Sequence, residues 1–312
     1  MDRGWKYKLA KLSRVINRLG WGTIAAVVLL ADWSMAQSPP AQSQPNLQTA
    51  AGQLELGNQY IQQGQIEPAI AAFRQAAAMD PTLTPAHYNL GLALRQQGNL
   101  QEAAMAFYRA IQSDPSFALS YGNLGAALLE GGNLTQAQQY LQRAIELDPN
   151  LGMAHYNLGL VLHQQGNLAQ AEIEFRKALN LSRSPESAYH LGLVHLQQGK
   201  VTEAAAAFQQ AVTLNPAYAE AHYSLGTVLV QQGKLEEALA TFRRSAEANP
   251  NYPNAYYGAG IVFLKQGNYA EAQRVLQYAR DLFAAQGNTR WADSAAQLLQ
   301  QVPNSSSALP PR

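Results

Sequence analysis

Glycine returns along this chain at an almost fixed interval. Gly57, Gly91, Gly125, Gly159, Gly192, Gly226 and Gly260 are separated by steps of 34, 34, 34, 33, 34 and 34 residues, and Gly64, Gly98, Gly132, Gly166, Gly199, Gly233 and Gly267 follow with the same steps. This period suits a helix–turn–helix unit that is too small to bury its apolar face alone, so neighbouring units must stack to share a core. The expected fold class is all-α, built from seven antiparallel helix pairs over residues 50–285.

Each unit explains its own pattern. We number it so that the first glycine is position eight; the second unit then starts at Thr84. Positions four, seven, eight and eleven (His87, Leu90, Gly91, Leu94) have the spacing of one helical face. Glycine at eight lets a neighbouring helix come close, and glycine at fifteen ends the first helix because it adopts the left-handed conformation without steric cost. The second helix carries Ala103, Phe107 and Ala110, with the aromatic filling the space between hairpins. Asp114-Pro115, Asp148-Pro149, Asn215-Pro216 and Asn249-Pro250 then stop that helix and orient the next unit.

The order of a large residue, Leu-Gly, Ala, an aromatic, Ala and Pro, with His87-Tyr88-Asn89-Leu90-Gly91 and His155-Tyr156-Asn157-Leu158-Gly159 as its fullest copies, closely resembles the tetratricopeptide-repeat family, in an exported bacterial form. The resemblance runs from about Ala50 to Ala285. It implies a right-handed α-solenoid whose first helices line a concave groove. Two units depart from the pattern. The fourth has Ser182-Arg183-Ser184-Pro185 in place of the terminal proline turn and is one residue short, which predicts a local change in pitch. The seventh runs through Asp281-Leu282-Phe283 to Gly287, after which Trp291, Ala295, Leu298, Leu299 and Val302 share a helical face and predict a capping helix over residues 286–302. A disordered tail is expected over residues 303–312.

The N-terminus reads as an address. Met1 to Arg18 is basic, Leu19 to Ala31 is apolar, and Ser34-Met35-Ala36 offers small residues where a signal peptidase reads, so residues 1–36 are expected to be a secretory signal cut after Ala36. An uncleaved anchor is the alternative, and the chain would meet a membrane only in that case; the apolar run is short for a crossing of about 20 residues. Residues 37–49, rich in Gln, Ser and Pro, read as a flexible spacer. The expected location is periplasmic or envelope-associated.

Charge and chemistry narrow the function further. Beyond Ala36 the chain holds 16 basic and 19 acidic residues, so no basic face suggests nucleic acid. There is no cysteine, which removes disulfides, thiolate metal sites and a cysteine nucleophile. His87, His155 and His222 occupy position four, where a wedged ring explains them better than catalysis. His190 and His195 are about 140° apart on a helix and do not share a face. Glu236-Glu237 open a second helix, where they favour its positive end. We therefore expect neither metal nor cofactor, and no enzyme.

What remains is a binding surface. The apolar face of the first helix centres near about 30°, so positions two, six, nine and thirteen, near about 210°, should look into the groove. Position six brings Asn89, Asn123, Asn157 and His190; position nine Leu92, Leu160 and Leu193; position thirteen Gln96 and Gln164; position five adds Tyr88, Tyr156, Tyr189 and Tyr223. Amides donate and accept at once, which suits the backbone of an extended partner, while the apolar row takes its side chains. The opposing reading is packing: the tyrosines and asparagines are common in the family's consensus, and at position nine burial between neighbouring first helices is the favoured reading over the groove. The asparagine ladder is similar to that of the repeat region in O-linked N-acetylglucosamine transferases, a resemblance that implies a holding role alone. Family members that clamp a chaperone's terminal carboxylate use cations where this chain has Pro85, Tyr88, Asn89, Leu119, Met153 and Glu186, which disfavours that partner; Arg95 and Lys265 read as isolated rim charges. The expected function is thus a scaffold or adaptor for a protein or peptide. A self-assembling structural element, or a non-catalytic subunit presenting substrate to an envelope enzyme, are the alternatives.

Overall fold

The structure, a computed structural model, describes residues 45–303. The expected signal with its cleavage at Ala36, residues 37–44 of the expected spacer, and residues 304–312 of the expected tail lie outside the described residues. Among the described residues there are fifteen helices and no strand. The first helices of the seven units are α1 (Ala50–Gln62), α3 (Thr84–Gln96), α5 (Ala118–Glu130), α7 (Gly152–Gln164), α9 (Pro185–Gln197), α11 (Ala219–Gln231) and α13 (Pro253–Lys265). Their partners are α2 (Ile66–Met79), α4 (Leu100–Ser113), α6 (Leu134–Leu147), α8 (Leu168–Ser182), α10 (Val201–Leu214), α12 (Leu235–Ala248) and α14 (Tyr269–Ala285), followed by α15 (Thr289–Gln300). Each first helix packs on its own second helix, and each second helix on the next first helix, which makes an α-solenoid.

The two glycine series do different work. A methyl group at Gly91 would sit 2.6 Å from the ring of Phe107, so position eight is bare because the aromatic of the same unit lies flat against it. Phe73, Phe107, Phe175 and Phe208 are fully buried in this way, Phe242 nearly so, with Leu141 and Leu276 replacing the ring in the third and seventh units. Each contributes roughly 1.5–3 kcal/mol by leaving water. At Gly98 no neighbour intrudes, but φ is +85°. That left-handed turn lets the Asn99 N–H reach back to the Leu94 carbonyl at 2.9 Å and closes α3. Between units, the carboxylate of Asp114 accepts the Ser116 N–H at 2.9 Å, and Asp80, Asp148, Asn215 and Asn249 repeat the turn.

The fourth unit closes by another device. With no Asp-Pro turn available, α8 runs to Ser182, Arg183 takes the left-handed conformation (φ 49°), and the Ser184 hydroxyl caps α9 by accepting the Ser187 N–H at 3.1 Å.

Both ends differ in detail from the sequence reading. Residues 46–49, read as the end of a flexible spacer, form a turn that caps α1: Thr49 accepts the Gly52 N–H at 3.0 Å, and Gln53 donates its amide to the Leu47 carbonyl at 2.9 Å. At the other end α15 stops at Gln300, so Val302 lies past the helix. Ala292 and Ala295 are its buried residues, whereas Trp291 is 44% exposed and stacks on Phe283 at 6.0 Å. Among the described residues no helix is long and apolar enough to cross a membrane.

Candidate functional site

The surface formed by the first helices is made of residues doing unequal amounts of structural work. At position five, Tyr88, Tyr156, Tyr189 and Tyr223 are half-buried, each ring packed against its own unit's phenylalanine at 5.9, 5.9, 5.7 and 5.8 Å. Burial pushes their phenols up, that of Tyr156 to about 12. These rings form a rigid wall with one edge at the surface.

The asparagine row is mostly spent inside the chain. Asn89 donates its amide to the Asn58 side chain at 2.9 Å, and Asn157 donates to the Met153 carbonyl at 2.8 Å. Asn123 is 5% exposed, donates to both the Tyr88 hydroxyl and the Leu119 carbonyl, and accepts from Arg95 at 3.3 Å. Asn123 is therefore a structural bracket, and its assignment to the groove is corrected. Its surroundings explain why: Arg95 reaches across from α3 to Glu130 and Asn123, so this cation is a tie between units and not an isolated rim charge. For Asn89 and Asn157 the amide acceptor oxygens remain open among the described residues.

His190 takes the asparagine's place in the fifth unit and behaves as an aromatic. It stacks on Phe175 at 5.4 Å, with Tyr156 and Tyr189 edge-on. Burial, aided by His163, holds its imidazole down to about 4, so it is neutral at ordinary pH. The position-nine row is half open: Leu92 is 37% exposed, Leu160 and Leu193 are half-buried, and Ala126 interrupts the strip with no exposure. Gln96 and Gln164 stand exposed along the rim.

The other histidines settle into packing with a purpose the sequence did not disclose. His87, His155 and His222 are buried, and Nε2 of each meets the carbonyl of the proline six residues earlier at 2.9–3.0 Å. In the seventh unit the Tyr256 hydroxyl donates to the Pro250 carbonyl instead, at 3.1 Å. Position four thus ties the first helices of the second, fourth, sixth and seventh units to the turns that precede them. Among the described residues no three His, Asp or Glu side chains meet in a group that could hold a metal ion.

Repeat geometry and sequence agree on the family. The tetratricopeptide-repeat model matches residues 54–116, 123–188 and 189–253, with related repeat models matching 106–139 and 229–298. The chain belongs to the tetratricopeptide-repeat family. Solved structures of other tetratricopeptide-repeat proteins share the fold. YrrB, described as having an unusual peptide-binding site, is 29% identical with a TM-score of 0.51, covering 61% of this chain and 99% of its own. Cut9, from the APC/C hetero-tetramer Cut9-Hcn1, is 22% identical with a TM-score of 0.61; the match covers 70% of this chain but 43% of that one. PilF of Pseudomonas aeruginosa is 23% identical with a TM-score of 0.59, covering 66% and 94%. No curated protein matches this tetratricopeptide-repeat chain.

Two sets of residues on the first-helix side were not assigned to the site by the sequence, which weighed Glu186 only against a carboxylate partner. Tyr218 and Tyr252 close the fifth and sixth units and pack on Tyr189 and Tyr223 at 5.1 and 5.8 Å, while Glu186 and Glu220 stand at position two of the same units. Comparing position thirty-four across units was the signal that would have found the tyrosines. A shallow recess of about 430 Å³ is lined by Met105 and Tyr108 of α4, Leu128 of α5 and Tyr140 of α6, among others.

Proposed function

We propose that this chain is a non-catalytic protein-interaction scaffold, exported to the cell envelope, that holds an extended segment of a partner along its first helices. The observation that carries the reading is the strip formed by Leu92, Leu160 and Leu193, which stays half open to solvent although the same helices bury their other apolar face completely. An apolar strip edged by exposed glutamines and rigid tyrosine edges offers pockets for side chains and amides for a backbone. YrrB, whose description names a peptide-binding site, supports the same use of the fold. The basic-then-apolar N-terminus with Ala36 supports export.

The test places a photo-crosslinking residue at Leu160 or Leu193 in one variant and at Ile173, exposed on α8, in another. The first should capture a partner segment that Ile173 does not. Equal capture from both surfaces would sink the assignment. Sequencing the mature N-terminus is expected to begin at Gln37; a chain still starting at Met1 in the envelope would show an anchor instead.

A further inference from the structure

The first helices of the fourth, fifth and sixth units, α7, α9 and α11, carry no lysine or arginine at all, and their formal charges are Glu186 and Glu220. Both stand at position two, one repeat apart. Neither makes an ion pair among the described residues; Glu186 accepts a hydrogen bond from the Ser184 hydroxyl, at 2.6 Å. First-turn carboxylates often serve the positive end of their own helix. That role does not account for these two, because Pro85, Leu119, Met153 and Asn254 occupy the same position in units whose first helices are equally long.

Each carboxylate comes with a pair of tyrosines. The fifth unit combines Glu186, Tyr189 and Tyr218, and the sixth combines Glu220, Tyr223 and Tyr252, at the same three positions of the repeat. The paired rings lie 5.1 and 5.8 Å apart, and all four are half-buried. Glu186 is near enough to act on the Tyr218 phenol, and Glu220 on those of Tyr218, Tyr189 and Tyr252: burial raises Tyr218 first, and Tyr189, Glu186 and Glu220 raise it further, while Glu220 adds to the burial that raises Tyr189 and to the burial that raises Tyr252 to about 12. Among the described residues no ion pair offsets them, and His190 nearby is neutral. Ring faces carry partial negative charge, so a carboxylate beside two tyrosines favours a cation twice over.

We infer that the fifth and sixth units form a tandem acidic-aromatic cradle that selects a basic partner segment, with lysine or arginine side chains seated in the Glu186 and Glu220 triads one repeat apart. The inference rests on the groove reading above and names the chemistry of its occupant. A strip of half-open leucine lies beside the cradle at Leu193, so the partner combines cations with a backbone that runs along the first helices.

The test uses the full chain and three capped nonapeptides in which serine alternates with lysine, glutamine or glutamate, with a photo-crosslinker at Leu193 reporting position. The lysine peptide should bind at least about ten-fold more tightly than the glutamine peptide at low salt and crosslink at Leu193, and the glutamate peptide should be weakest. In Glu186→Gln/Glu220→Gln the lysine preference should collapse while the fold, followed by circular dichroism, is unchanged. Tyr218→Leu/Tyr252→Leu, using the residue that closes the first and third units (Leu83, Leu151), should lower the lysine preference several-fold and leave glutamine-peptide affinity in place. Equal affinity for all three peptides with crosslinking at Leu193 overturns the cradle and leaves the groove standing. A lysine preference that survives loss of both carboxylates overturns the cradle too. Absence of crosslinking from Leu193 with every peptide overturns both.

Discussion

A single methyl group separates the roles of the two glycine series. Gly91→Ala would drive its Cβ to 2.6 Å from the buried Phe107 ring, and overpacking of this kind costs about 1–3 kcal/mol. Gly98→Ala meets no neighbour, yet it forces a side chain to φ +85°, a cost of about 1–2 kcal/mol. Both should lower the urea midpoint, and only Gly91→Ala should perturb the near-ultraviolet signal of the aromatic core. His190 gives a pH signature at the same scale. Its imidazole is held down to about 4 in the fold by burial and His163, against 6.5 as its ordinary value, so the unfolded chain takes a proton first. Stability from this group is whole above pH 6.5 and is lost as pH falls from 6.5 towards 4, by up to roughly 3 kcal/mol. His190→Asn, restoring the residue used in the second to fourth units, should flatten urea stability across that window; an unchanged slope would show that His190 is solvated.

At the scale of elements, the joint between α8 and α9 is the place where the repeat pattern gives way. Arg183 holds a left-handed backbone that glycine takes without strain, so Arg183→Gly should raise the unfolding free energy by about 0.5–1 kcal/mol, and with it the urea midpoint, after the offset from greater freedom in the unfolded chain. A lower midpoint would mean that the Arg183 side chain contributes more than its backbone costs. Across α8 and α10, Lys200 donates to Glu172 at 2.9 Å, and this contact, with help from Gln198 and His195 and against the cost of burial, holds the Glu172 carboxyl below its usual range. The irregular step of 33 residues revealed that the joint differs, because glycine spacing counts residues. It did not reveal how, because a left-handed arginine has no local signature. The same division runs through the groove. Helix pairs and their turns were legible from periodicity, since each depends on residues at fixed offsets within one unit, whereas the aromatic expected between hairpins lies against the glycine of its own unit. The fates of Asn89, Asn123 and Asn157 were not: three identical residues at one position find Asn58, Tyr88 with Arg95, and Met153, and two of those fates are set by the unit before. The same limit hid the link from Glu186 to Tyr218, which joins the two ends of one unit.

At the scale of the molecule, stacking makes each unit depend on its neighbours and on little else, so stability should be spread unevenly along the solenoid. The buried side chains bear this out. One cluster gathers Phe73, Phe107 and Ala127 in the first three units, a second runs from Leu129 through Phe175 and Phe208 to Val262, and a third joins Ala279, Phe283 and Ala292 under α15. The C-terminal cluster holds because α15 lays Ala292, Ala295 and the Trp291 ring over Phe283 and Tyr257. Ending the chain at Gly287 removes that cover and leaves the outer face of α13 and α14 apolar and wet. Hydrogen exchange should then show α13 and α14 losing most of their protection, α11 and α12 losing less, and α1 to α4 keeping theirs, with weak self-association through the bared end. Because the groove strip at Leu160 and Leu193 lies in units distant from that end, binding along it should survive the truncation. Protection lost uniformly from α1 to α14 would instead mean that the seven units fold as one cooperative block, and the nearest-neighbour account of this chain would fail.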